Sequence, residues 1–88
     1  MSLFPLFVDI KNKPCLIVGG GKIAARKLKM LCHSGAHVTL VAPQSCDATT
    51  ALCDEYNVLV EQRNFVDSDI LDQRLVIAAT DSPAINQH

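Results

Sequence analysis

Cys15-Leu16-Ile17-Val18-Gly19-Gly20-Gly21-Lys22-Ile23-Ala24 is the stretch whose reading decides the fold. Its first four residues are a continuous apolar run, the mark of a parallel strand covered on both faces. Three glycines end that run, and a pattern of helical period follows. In a turn of the form Gly19-x-Gly21-x-x-Ala24, each small residue has its own task. Gly19 permits the sharp exit from the strand, Gly21 keeps a Cβ away from an approaching pyrophosphate, and Ala24 lets the helix pack closely on the sheet. A helix starting near Gly21 directs its free N–H groups, and roughly half a positive elementary charge, at a bound phosphate. Because strand and helix both flank the glycines, the stretch predicts a dinucleotide-binding turn rather than a plain glycine-rich bend. A P-loop ending at Gly21-Lys22 is excluded, since it needs glycine where Leu16 stands and serine or threonine where Ile23 stands.

Outward from the turn, Ile23, Ala24, Leu28, Leu31 and Cys32 share one helical face, with Arg26, Lys27 and Lys29 mostly on the other. Gly35 stands where a left-handed residue closes such a helix. His37-Val38-Thr39-Leu40-Val41-Ala42 reads as the second parallel strand, stopped by Pro43, and the three elements make one right-handed βαβ unit. An acid that would bind the ribose 2′-hydroxyl is expected about 20 residues after the glycines, but the chain has Val41-Ala42-Pro43-Gln44-Ser45 there. No arginine takes its place, so the residues alone do not choose between NAD and NADP. Ribose contacts fall to backbone groups near Pro43 and to Gln44 or Ser45.

Residues 45–56 read as a second helix with Ser45 as its cap and Ala48, Leu52 and Cys53 at helical spacing. Val58-Leu59-Val60-Glu61 is a third strand. Residues 64–71 form a loop with a short helical turn, in which Asp67 and Asp69 suit a cap better than an acid–base pair. The fourth strand lies within residues 74–81 and belongs beside the first, so Ala78, Ala79, Thr80 and Asp81 face the glycine turn across the switch point where ligands bind. Asp81 or Ser82 also suits the cap of a following helix, with Pro83 in its first turn. Upstream, Leu6-Phe7-Val8-Asp9-Ile10 reads as a strand near a sheet edge. The fold class is α/β, a Rossmann-type doubly wound, mostly parallel sheet of order 3-2-1-4. The chain stops as the next helix begins, before a fifth parallel strand, so residues 1–88 are read as the N-terminal part of a longer protein.

Bulk properties fit one small domain: 88 residues, 49% hydrophobic and 19% charged. A net charge of −1 supplies no broad field for nucleic acid or an anionic membrane. Cys15, Cys32, Cys46 and Cys53 contain neither a C-x-x-C pair nor zinc-finger spacing, and are expected to be free structural thiols of a reducing, cytoplasmic protein. No apolar run approaches the length of a membrane span. His33, His37 and His88 lie away from the ligand edge or at the terminus, and none is a catalytic candidate.

Three segments resemble the N-terminal domain of siroheme synthases, the family of precorrin-2 dehydrogenases and sirohydrochlorin ferrochelatases. They are residues 15–27, Ser34-Gly35-Ala36-His37-Val38-Thr39-Leu40-Val41-Ala42-Pro43, and Ile77-Ala78-Ala79-Thr80-Asp81, with the opening residues 6–10 similar as well. The resemblance implies NAD-dependent oxidation of precorrin-2 to sirohydrochlorin, with ferrous iron insertion in many members. It implies a nucleotide held at Lys22 and Ile23 and at Pro43 and Gln44, to which the turn reading adds Gly19, Gly20, Gly21, Thr80 and Asp81. The ribose acid is missing from the family pattern too. A homodimer is implied for the full-length protein, and a methyltransferase domain follows in some members. The aspartate to which the family's chemistry is attributed lies past His88, so no catalytic residue is assigned and the chain alone is expected to be inactive. Lys22, Arg26 and Lys27 are candidate partners for the carboxylates of the tetrapyrrole. The alternative function is a non-catalytic NAD(P)-sensing module of the same fold.

Overall fold

The computed structural model describes residues 10–79. Strands β1 (Pro14–Val18), β2 (His37–Val41), β3 (Leu59–Glu61) and β4 (Leu75–Ala78) form one sheet in the order β3-β2-β1-β4, and every pairing is parallel. Helix α1 (Lys22–His33) joins β1 to β2, α2 (Asp47–Tyr56) joins β2 to β3, and a 3-10 turn (Asp67–Ile70) lies between β3 and β4. The chain therefore reverses its direction of sheet growth between β1 and β4, the switch point at which doubly wound sheets bind ligands. The expected strand at residues 6–10 falls outside the described residues except for Ile10, which is buried. Thr80, Asp81 and the helix expected after them also lie outside the described residues.

Strand periodicity divides the core into two sides. Cys15 and Ile17 of β1 cluster with Val38 and Leu40 of β2 beneath Ala24, Leu28 and Leu31 of α1 and Cys53 of α2. Leu16, Val18 and Val41 point to the opposite face and form a smaller cluster. Burial on both faces is why β1 has no polar residue after Pro14, whereas β3, at the edge, is exposed along its whole length.

Helix α1 buries Ala24, Ala25, Leu28 and Leu31, and of these Ala24, Leu28 and Leu31 pack with the strands. Ile23 does not join them: it sits 40% exposed at the lip of the turn, because Ala24 occupies the direction that faces the strands. The helix ends as its sequence predicts. Gly35 takes φ 83°, its N–H donates to Cys32 O, and the Ala36 N–H donates to Leu31 O, the paired bonds of a Schellman ending.

Helix α2 is capped one position later than expected. Ser45 is not its cap; the Ser45 hydroxyl meets that of Thr50 at 3.1 Å, and Cys46 holds the N-cap position. The buried face also differs, since Ala48 is exposed while Thr49 is fully buried. Asn57, in the left-handed region at φ 57°, closes the helix and lets the Val58 N–H reach Cys53 O. On the far side, His33 Nε2 and the Tyr56 hydroxyl stand 2.8 Å apart and tie the end of α1 to the end of α2.

Candidate functional site

The glycine turn joins the end of β1 to the start of α1, and the end of β2 packs directly on it. Gly19 takes φ 126°, a conformation that side chains disfavour, and its N–H donates to Val41 O at 2.9 Å. A Cβ on Gly20 would stand against the Gln44 carbonyl and 2.7 Å from Ser45 Cα. The middle glycine is thus required by the β2–α2 loop, a task the motif spacing does not reveal. Gly21 is the N-cap of α1 in extended conformation, at φ −89° and ψ −164°.

Each of these glycines has a hydrogen bond to the segment that runs from the end of β2 into α2. The Cys46 N–H donates to Gly20 O at 2.8 Å, and the Thr49 hydroxyl donates to Gly21 O at 3.0 Å. Cys46 Sγ lies 3.3 Å from the same hydroxyl. Burial pushes the thiols of Cys15 and Cys53 up from the usual thiol range. All four cysteines are free. Sequence reasoning missed Thr49 and Cys46. A threonine within a helical pattern is ordinarily unremarkable, and its partner is 28 residues away.

Lys22 and Ile23 are exposed at the first turn of α1, which contains no acidic residue to compete with an anion. Pro43 and Gln44 are exposed at the end of β2. The structure thus brings Gly19, Gly20, Gly21, Lys22, Ile23, Pro43 and Gln44 to one end of the sheet. Ala79, which ends the described part of the β4 side, donates its N–H to Val18 O at 2.8 Å, next to the turn. Beside the turn, a cleft of 610 Å³ includes Gln44 and Ser45 from the β2–α2 loop, Asp54 from α2 and Gln62 after β3. Its size is within the range of small-molecule pockets. Among the described residues, Asp54 is the only charged one lining it.

The turn, the open start of α1 and the acid-free end of β2 meet at one end of the sheet, the arrangement that dinucleotide-binding folds use for a pyrophosphate. A family model described as putative NAD(P)-binding matches residues 6–88. The chain belongs to this NAD(P)-binding family. It is 43% identical over 86 residues to the siroheme synthase of Pseudoalteromonas atlantica, covering 98% of this chain and 19% of that protein. It is 44% identical over 87 residues to the siroheme synthase of Actinobacillus pleuropneumoniae, covering 99% of this chain and 18% of that one. Among solved structures, SirC, a precorrin-2 dehydrogenase, superposes with a TM-score of 0.81 at 28% identity, over 97% of this chain and 43% of that chain. The chain thus spans about a fifth of the length of these siroheme synthases. Among the described residues, no helix is long and apolar enough to cross a membrane.

Proposed function

We propose that this chain is the NAD-holding part of an enzyme that oxidises precorrin-2 to sirohydrochlorin in siroheme synthesis. The observation that carries the reading is the joining of a glycine turn to an acid-free β2 end, in a chain similar along nearly its whole length to siroheme synthases and to a precorrin-2 dehydrogenase. Backbone N–H groups of Gly21, Lys22 and Ile23 bind the pyrophosphate, and the Lys22 ammonium adds charge at the mouth of the helix. Pro43 and Gln44 border the ribose, and the use of NAD is supported by the similarity to a precorrin-2 dehydrogenase. Thr80 and Asp81, which follow the described residues, are the further proposed contacts. Bound NAD supplies the hydride acceptor; the protein orients it and excludes water.

Lys22, Arg26 and Lys27 lie on the helix that leaves the turn, where they can meet the substrate's carboxylates. The working protein is read as a cytoplasmic homodimer, a reading supported by the family resemblance, in which many members also insert ferrous iron into sirohydrochlorin. Calorimetric titration of the protein with NAD at up to millimolar concentration tests the cofactor site, and binding is expected. Gly21→Asp sets a carboxylate against the pyrophosphate and should abolish that binding; retained affinity would falsify the site. The reaction is tested by giving the full-length enzyme precorrin-2 and NAD and following sirohydrochlorin by absorbance. NAD binding without turnover would instead favour an NAD-sensing module.

A further inference from the structure

We infer that Thr49 is a positioning residue for cofactor binding, acting through the peptide planes of the glycine turn. The inference rests on the reading that this turn holds the NAD pyrophosphate. Thr49 is fully buried in the first turn of α2, yet its hydroxyl reaches back to Gly21 O at 3.0 Å. Gly21 O also accepts the Ala25 N–H at 3.1 Å, so both lone pairs of that carbonyl are engaged. A hydroxyl has one proton, and a carbonyl can only accept. Thr49 therefore donates to Gly21 and leaves its own lone pairs for the Cys46 S–H at 3.3 Å.

The consequence follows from the planar trans peptide, in which the N–H points opposite to the C=O. Fixing Gly21 O fixes the Lys22 N–H, and the Cys46 N–H on Gly20 O fixes the Gly21 N–H in the same way. These two amides belong to the N-cap and first residue of α1, whose N–H groups have no acceptor within the helix. The first turn of α2 thereby aims two donors at the place of the pyrophosphate before the ligand arrives, which lowers the ordering cost of binding. Helix α2 contributes to NAD affinity through Thr49 without touching the nucleotide.

The test compares Thr49→Val, which keeps the shape and removes the hydroxyl, with Thr49→Ser, which keeps the hydroxyl and removes the methyl. Affinity for NAD is measured by calorimetry at a temperature where each variant is folded by circular dichroism. Valine should raise the Kd about tenfold, the size expected for one lost hydrogen bond and the freedom it restores. Serine should stay within about twofold of wild type, and amide exchange at Lys22 in the free protein should be faster in the valine variant only. A folded valine variant with wild-type affinity overturns the inference. So does a folded serine variant that loses affinity about tenfold, and this arm decides the matter even if valine prevents folding. If the unaltered protein fails to bind NAD, the cofactor reading itself falls; wild-type binding with no hydroxyl dependence removes only the role of Thr49.

Discussion

The β1–α1–β2 unit and the segment from β3 to β4 are built to different standards. In the first, Leu16, Ile17, Leu28, Leu31, Leu40 and Val41 are all at or below 1% exposed, and every turn is closed by hydrogen bonds. In the second, Leu59, Val66, Ile70 and Leu71 are 60%, 50%, 48% and 67% exposed, and β3 has no buried residue. Local order in the second region comes instead from polar contacts: both Arg63 guanidinium nitrogens on the Asp69 carboxylate, at 2.6 and 2.9 Å, and the Val66 N–H on Asp69 Oδ2 at 2.9 Å. The lesson is that the glycine turn sits on the part of the chain that is packed on both sides. A phosphate cradle depends on backbone groups being held still, and apolar packing around β1 provides that.

The sharpest way to break the contrast is to truncate one leucine in each region. Leu28→Ala opens a cavity between α1 and the sheet and should destabilise the protein by about 3 kcal/mol, whereas Leu71→Ala should change stability by no more than about 0.5 kcal/mol. Urea denaturation reads both, and equal losses would show that the exposed region has hidden cover. Gly35→Ala forces a side chain into the left-handed ending of α1, where φ is 83°, at a cost of about 1–2 kcal/mol by the same measurement. Its effect should be confined to stability, since Gly35 lies at the opposite end of α1 from the cofactor turn.

The smallest effect concerns Asp69, whose hydrogen bond from Arg63 and then that from the Val66 N–H lower its pKa from 3.8 to about 2. A carboxylate with a depressed folded-state pKa contributes its full stabilisation above its unfolded value, and loses it as the pH falls toward the folded one. The stability gap between wild type and Arg63→Ala should therefore be constant above about pH 5 and close between about pH 4 and pH 2. A gap that ignores pH over that interval would mean that the ion pair adds nothing to folding. The gap is expected to be modest because the pair lies at the surface.

The sequence alone determined the strand order 3-2-1-4, the glycine turn, the Gly35 ending and the absence of an acid at the end of β2. These are local signals: an apolar run of strand length, glycines where the backbone must turn, and helical periodicity between them. Only the tertiary structure decided which residues hold the turn in place. Gly20 is required because Gln44 and Ser45 approach it, and Ser45 gives up the expected cap because its loop is drawn against the glycines. Ile23 is turned out to the lip of the site, while Thr49, a polar residue at an unmarked position, is buried to reach Gly21. Contacts between residues more than 20 positions apart depend on how β1 and β2 register and how α2 settles beside α1. That arrangement is fixed by packing the whole sheet, and no short stretch of sequence records it.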